Sequence, residues 1–590
     1  MSSGTERLKN YLLGFPLLRL FAFAAPYKAR LAVLGFVIVL STAADIAGPL
    51  IVGYAIDYGL GQKGGVRSDL RVVYLAVGFY VFVNVAAWVL GYLQTFGMGW
   101  VGQHMILDLR NTLFGHLQSL SLRFYSEQKA GWIISRLTND IENFTNLLND
   151  GVQNLAKNGL TLIGVFIAIF ILDWKLALAV TTVFPVMIIC TAVYRVQSMK
   201  SFRRAREAIA ELAAFLQENV SGMRVVQAFT REERAREDFD GRNHAYRRAN
   251  SRASLLSAIY FPGVEFLSAV ALAIVLLYGG FRVVGGEMTP GHLVAFIGLL
   301  NMFFQPIQQL SQLYSDLQST LTSLEKVFAV LDTESDRADQ PSARSLEHID
   351  GKISFDRVDF AYGEDPILED VSFEVEPGET LAIVGETGAG KSTIVKLLSR
   401  LYDPTGGKVL VDDKDLLDIR GSSLRERMGV VLQDTFLFTG TVEENIRYGR
   451  PGATREEIVA AAEVVGADEF IRNFPDGYET QVRERGGRLS VGERQLISFA
   501  RALLAEPRIL VLDEATSSVD LATEARIEEA LQKLLVGRTS VVIAHRLSTI
   551  RRADRILVLS NGHIAEQGSH EDLISRPSAY RRLYESQFAA

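Results

Sequence analysis

Six stretches of about twenty apolar residues crowd into the first half of the chain, and a polypeptide built that way has few ways to fold. At 1.5 Å of rise per residue such a stretch crosses the hydrocarbon of a bilayer. In lipid, only a helix or a closed barrel satisfies every backbone N–H and C=O. The stretches lie near 31–56, 72–93, 155–172, 176–193, 255–281 and 292–313, so the expected architecture here is an all-α six-helix transmembrane domain. Spans three and four are joined only by Asp173-Trp174-Lys175, whereas long polar connections separate spans two from three and four from five. Short links therefore lie on one side and long ones on the other. Thirteen Lys/Arg stand from Arg195 to Arg252, and five more precede the first span, which puts the long connections and the N-terminus in the cytoplasm.

The remaining sequence is of another kind. A chain of 590 residues exceeds one core, and 48% hydrophobic beside 22% charged residues fits an apolar part joined to a water-exposed part. The net charge of −7 carries no dense basic run, so nucleic acid is not an expected partner and membrane lipid is. The single cysteine, Cys190, lies in an apolar run and reads as a small hydrophobe. Arg7 and Lys9 before an apolar stretch ending in Ala22-Phe23-Ala24 imitate a secretory signal, but Arg19 interrupts the apolar centre. An amphipathic helix from Phe15 to Tyr27, lying on the inner membrane surface, is the expectation. The expected domains are thus an interfacial helix over 1–30, the membrane domain over 31–330, a polar linker over 331–348 containing Pro341, and a second domain over 349–590. Its short β-branched runs at 381–384, 430–432, 509–512 and 541–544, alternating with helical segments, predict an α/β fold with a largely parallel sheet.

Directly after the first of those runs stand Gly385, Glu386, Thr387, Gly388, Ala389, Gly390, Lys391 and Ser392, with Thr393 opening a helical segment. This is the phosphate-binding loop pattern in the required strand-to-helix setting. Backbone N–H groups and the helix N-terminus face the phosphates, Lys391 reaches the β/γ oxygens, and the Ser392 hydroxyl helps hold Mg2+. Downstream, an apolar strand ends in Asp513 and Glu514; the first suits Mg2+, the second suits orienting and deprotonating the attacking water. His545 follows the run 541–544 at another strand tip, where it can contact the γ-phosphate. The plain alternative for Glu514 and His545 is a pair of ordinary strand-end polar residues.

Across essentially its whole length the chain resembles the ATP-binding cassette (ABC) exporters. Tyr362 matches the aromatic that stacks on adenine, and Gln433 in V-V-L-Q-D matches the glutamine that senses Mg2+ and the attacking water. Leu489-Ser490-Val491-Gly492-Glu493 occupies the place of the family signature, so Ser490, Gly492 and Glu493 join the ATP-binding set; Ser517-Ser518-Val519-Asp520 matches the loop linking two ATP sites. Phe124-Tyr125-Ser126, the run from Ser135 to Asp140, and the run from Gly222 to Phe229 resemble cytoplasmic coupling segments. The resemblance implies the type 1 exporter membrane fold followed by an α/β P-loop ATPase domain with a helical subdomain. It also implies a multi-pass protein of the cell membrane with its ATPase domain in the cytoplasm. The chain would act as a dimer in which each ATP, with Mg2+, lies between one copy's phosphate loop and the other's signature. ATP binding and hydrolysis would then drive alternating access for an amphipathic, lipid-like or drug-like substrate.

One stretch departs from the family pattern L-S-G-G-Q: Val491 replaces a glycine and Glu493 replaces the glutamine. Glu493 brings negative charge towards a polyphosphate. Two expectations follow, a tolerated variant in a homodimer or a heterodimer with a second ABC half-transporter and one degenerate ATP site. Inside the spans, Asp45 and Glu265 are candidate substrate contacts, with a structural carboxylate as the alternative; Trp88 and Met302-Phe303-Phe304 are candidates to line an apolar cavity, with packing as the alternative. Other classes carried forward are a non-transport ABC ATPase, an ATP-gated channel, and an importer of exporter-like fold.

Overall fold

The computed structural model describes residues 19, 23–60, 69–146, 151–334, 339, 342–346, 348–363, 365–433, 435–483, 486–487, 489–513, 521–544 and 546–587, without the side chains of 146, 307–308, 310–318, 521–522 and 587. The chain divides into two compact units, Met1–Gln118 with Ala130–Thr333, and Ser119–Lys129 with Glu334–Ala590. The expected amphipathic helix falls mostly on residues outside the described part, as does Pro341 of the linker.

In chain order the helices used below are α1 (Lys28–Tyr54), α2 (Leu70–Ser119), α3 (Leu122–Glu127), α4 (Gln153–Leu172), α5 (Trp174–Thr181), α6 (Phe184–Ser221), α7 (Met223–Ala228), α8 (Glu232–Ile274) and α9 (Pro290–Leu331). Among the described residues five helical stretches are long and apolar enough to cross a membrane: Ala25–Gly59, Leu70–Ser119, Gln153–Leu172, Trp174–Ser221 and Glu232–Val284. The sixth expected span lies within α9, part of whose side chains are outside the description. The long polar connections are not loops. α2 alone has 50 residues, about 75 Å of helix against about 30 Å of hydrocarbon, and α6 and α8 likewise carry the helical trace through the basic region.

Phe79, Phe82, Trp88, Ile163 and Ile171 are exposed on the surface of the first unit, while Val165, Leu176, Val264, Phe296 and Leu299 form the core between helices. Phe303 and Phe304 belong to that core, and Phe303 stacks on Phe184 at 4.7 Å, so these two aromatics pack rather than line a cavity. Asp57 is buried and accepts from the Gly291 N–H at 2.7 Å and from the Thr289 hydroxyl, capping the start of α9. Asp45 pairs with Lys157 of α4 at 3.1 Å, and Glu265 is exposed. Arg19 pairs with Asp332 at 2.6 Å and lies over the Phe328 ring, tying the N-terminal segment to the end of α9.

The second unit holds β1 (Ile353–Tyr362), β2 (Asp365–Val375), β3 (Thr380–Gly385), β4 (Gly406–Val411), β5 (Lys414–Asp415), β6 (Met428–Val431), β7 (Gly440–Thr441), β8 (Gln481–Val482), β9 (Ile509–Asp513), β10 (Thr539–Ile543), β11 (Arg555–Ser560) and β12 (His563–Gly568). The main sheet runs β12-β11-β3-β10-β9-β6, parallel throughout except for β12. A parallel sheet covered on both faces explains the unbroken apolar runs of the sequence. Alternate residues serve separate cores: Ile509, Val511, Val541 and Ile543 enter one, Leu510, Leu512 and Val542 the other. The antiparallel sheet β2-β1-β4-β5 packs on the first core and was not anticipated. The helical segment between β6 and β9 builds the second core, around Ile446, Ile458, Ile471 and Ile497.

Candidate active site

The loop 385–392 joins β3 to α10 (Lys391–Leu398). Its last glycine, Gly390, is the N-cap of α10 with φ 101°, a left-handed conformation, and a Cβ there would stand 2.7 Å from Leu368 Cδ2. Only glycine meets both conditions. Glu386, Thr387 and Gly388 form the exposed rim, Ala389 is buried, and Thr393 is buried with its N–H on the Gly390 carbonyl at 3.0 Å. The Lys391 ammonium folds back under the loop and donates to the carbonyls of Gly385 and Glu386, both at 2.8 Å. Burial pushes that ammonium below its ordinary value, and the Asp513 carboxylate pulls the other way.

Asp513 ends β9, two strands from β3 across β10, and accepts from the Ser392 hydroxyl at 3.3 Å. A hydroxyl and a carboxylate meet beside the phosphate loop, both hard oxygen donors of the kind Mg2+ takes. Gln433 lies exposed two residues after β6, the neighbour of β9. Glu514, His545 and the run from Ser517 to Asp520 lie outside the described residues; the strands that lead to Glu514 and His545, β9 and β10, are adjacent and in parallel register.

Tyr362 ends β1 and is held from several sides. Lys396 of α10 donates to its hydroxyl at 3.1 Å, and Phe360 and Tyr402 meet its ring edge-on at 4.8 and 5.3 Å. Tyr402 in turn lies 3.3 Å, hydroxyl to hydroxyl, from Ser126 of α3. A cavity of about 400 Å3 opens here, lined by Arg123, Ser126, Tyr362, Arg400, Tyr402 and Arg425. Tyr402 carries no sequence signal of its own, because nothing in a linear pattern brings position 126 to position 402. By contrast, of the other coupling runs, the one from Ser135 to Asp140 carries a buried Arg136–Asp140 ion pair, and α7 presents Val225 and the following Phe229 as exposed apolar side chains.

The irregular signature forms the N-terminus of α11 (Val491–Leu504). Ser490 is its N-cap: the Glu493 N–H donates to Ser490 Oγ at 3.2 Å, and the Ser490 N–H donates to the Glu493 carboxylate at 2.7 Å. This reciprocal pair is a capping box, so the acidic side chain that breaks the family pattern sits where a helix N-terminus favours negative charge. Gly492 is buried, and a Cβ there would meet Thr523 Cγ2 at 2.1 Å. Val491 is exposed on the first turn.

Comparison with known proteins agrees with both units. The family described as the ABC transporter transmembrane region matches residues 31–307, and that described as ABC transporter matches 368–517. An uncharacterised ABC transporter ATP-binding protein of Bacillus subtilis, YknV, is 42% identical over 97% of this chain and 94% of its own length. An ATP-dependent lipid A-core flippase of Syntrophus aciditrophicus is 37% identical over 97% of this chain and 94% of its own. A bacterial Atm1-family ABC exporter solved with ATP bound superposes with a TM-score of 0.80 at 31% identity, covering 96% of this chain and 99% of that one. The chain is therefore a multi-pass membrane protein of the ABC exporter family whose fused ATPase domain, on the cytoplasmic side, binds and hydrolyses ATP to drive export.

Proposed function

We propose that the chain acts as a homodimer and exports an amphipathic, lipid-like or drug-like molecule. Each ATP would lie between the phosphate loop of one copy and the Ser490–Glu493 signature of the other. One observation carries the homodimer: the same chain holds a formed phosphate loop and a capped signature helix whose acidic residue is already engaged by its own backbone. In this reading Tyr362 stacks on adenine, the backbone of residues 385–393 and Lys391 hold the phosphates, and Ser490 and Gly492 approach from the partner. Ser392, Asp513 and Gln433 would hold Mg2+, which supplies positive charge against the triphosphate oxygens. Glu514 takes the proton of the attacking water, and His545 steadies the γ-phosphate.

The relative named as an ATP-dependent lipid A-core flippase supports an amphipathic substrate. The exposed apolar side chains of α7 fit a segment that needs a partner surface.

The test is vanadate-sensitive ATP turnover by the purified chain alone in lipid nanodiscs, beside Glu514→Gln. Robust turnover abolished by Glu514→Gln is expected. Negligible turnover that appears only on adding a second ABC half-transporter would overturn the homodimer in favour of the heterodimer.

A further inference from the structure

Two polar pairs meet inside the membrane unit, on helices that pack against one another. Lys157, in the second turn of α4, donates to Asp45 of α1 at 3.1 Å, and the next residue, Asn158, donates from Nδ2 to Gln309 Oε1 of α9 at 2.8 Å. α1, α4 and α9 are mutually packed. Ile46, next to Asp45, meets Gly164 of α4.

The depth of the ion pair follows from helical rise. Asp57 and Asp173 mark the side of the short links: the first caps α9, the second caps α5 and pairs with Arg282 at 2.6 Å. Asp45 lies twelve residues before Asp57, and Lys157 sixteen before Asp173, so they sit about 18 and about 24 Å from that side. With about 30 Å of hydrocarbon, the pair belongs to the cytoplasmic half of the bilayer. Charges at that depth are rare and face a partner or a cavity.

Exposure separates this pair from a purely structural one. The side chains of Arg282 and Asp173 are 12% and 14% exposed, a sealed link between helices. Those of Lys157 and Asp45 are 38% and 32% exposed, with the longer separation. The pair is close enough to neutralise both charges, and about a third of each side chain is left uncovered by this chain's own helices.

We propose that Asp45 and Lys157 are the seat for the polar head of the transported molecule, and that this head is zwitterionic. The assignment rests on the exporter reading. A ligand bearing one charge that took either partner would leave the other charge alone in a low-dielectric setting, which is strongly unfavourable. A head group with both signs exchanges partners instead: its cation takes the Asp45 carboxylate, its anion takes the Lys157 ammonium, and no charge is stranded. Asn158 and Gln309 stand alongside with uncharged donors and acceptors.

The experiment uses the full chain in nanodiscs and three single-chain probes of equal length below their micellar concentrations: dodecylphosphocholine, dodecyltrimethylammonium and the phosphodiester dodecyl methyl phosphate. Stimulation of ATP turnover is read together with displacement of a fluorescent dodecylphosphocholine analogue, which needs no turnover. Dodecylphosphocholine is expected to stimulate and displace at concentrations about tenfold lower than either singly charged probe, the scale of one charge-assisted contact. Asp45→Asn and Lys157→Gln should each remove that preference, and the exchanged double variant Asp45→Lys/Lys157→Asp should restore it. Equal half-saturating concentrations for all three probes on the unaltered chain would overturn the assignment without recourse to any variant. So would single variants that fold and keep the preference. Absent turnover with charge-selective displacement intact would refute the homodimer while leaving the seat standing; turnover without selectivity would do the reverse.

Discussion

Glu493 is the residue at which the sequence raises an objection and the structure answers it, and two substitutions separate its roles. Its carboxylate accepts from the Ser490 N–H at 2.7 Å at the start of α11. Glutamine keeps an acceptor in that place, so Glu493→Gln should lose only the charge–dipole part, about 0.3–1 kcal/mol. Alanine loses the capping contact as well, about 1–2 kcal/mol together. The ATP side has the opposite sign. Two like charges about 4 Å apart repel by about 1 kcal/mol in water and about 4 kcal/mol at an effective dielectric of 20, and the helix N-terminus, present in both forms, does not enter the difference. If the signature faces the partner's ATP, Glu493→Gln should therefore lower the KM for ATP at least about fivefold, and by up to about a thousandfold if the site is dry. Steady-state ATPase assays over a range of ATP concentrations and thermal unfolding of the same preparations read the two effects independently. A KM within twofold of the parent would refute the apposition of this carboxylate and the nucleotide, and a Gln variant as unstable as the Ala variant would refute the capping account.

Gln433→Ala should lower kcat by about a hundredfold or more, the range for one general-acid–base-type contact being about a hundred- to ten-thousandfold, with little change in the KM for ATP; a raised KM at unchanged kcat would assign Gln433 to binding instead. Gln94 of α2 is 1% exposed and neither atom of its amide finds a partner among the described residues. Gln94→Leu should therefore stabilise the chain by about 1–3 kcal/mol, seen as a higher unfolding midpoint in detergent, and a lower midpoint would contradict the accounting. The buried Tyr580 hydroxyl, 2.7 Å from His570 Nδ1, is pushed up to about 12 from the ordinary 10.0, chiefly by burial. Because the folded state keeps its proton where the unfolded chain loses it, stability present below pH 10 falls as pH rises towards 12. Tyr580→Phe should flatten that slope in chemical denaturation at pH 9.5 and 11.5, and an unchanged slope would count against it.

Legibility in the sequence followed the range of the interactions. Phosphate-loop residues are consecutive, and their conformation is dictated locally by Gly390 and the helix it caps, so Lys391 and Ser392 could be placed from pattern alone. The runs at 381–384, 509–512 and 541–544 became β3, β9 and β10 because burial on both faces leaves an unmistakable apolar signal. The antiparallel sheet was not seen: β1 and β2 alternate buried and exposed residues and carry three register shifts, which breaks the period. Polarity misled the reading of the segment after span two. Its residues are polar because α2 leaves the membrane, not because the helix stops. Asp45 was visible as an ionisable residue at membrane depth, but its partner Lys157 was not, since a pair separated by 112 positions has no local trace.

The distribution of the ATPase residues over two cores says how the domain can move. Strands β9 and β10 contribute to both, with alternate side chains on opposite faces. The phosphate loop's helix α10 packs through Ile394, Val395, Leu397 and Leu398 into the first core, whereas α11 packs through Leu496, Ile497, Phe499 and Ala500 into the second. Close-packed cores move as bodies and resist internal deformation. A rotation of the helical core against the sheet therefore displaces the Ser490–Glu493 end of α11 as one piece while leaving Lys391 and Ser392 in place. The main sheet's edge strand β6 straddles the same divide, with Met428 in the first core and Val431 in the second, and Gln433 follows directly. An exposed glutamine at that seam would sense the relative position of the two bodies if Gln433 has the role the family resemblance implies, and its substitution should then change the rate of turnover more than the affinity for ATP.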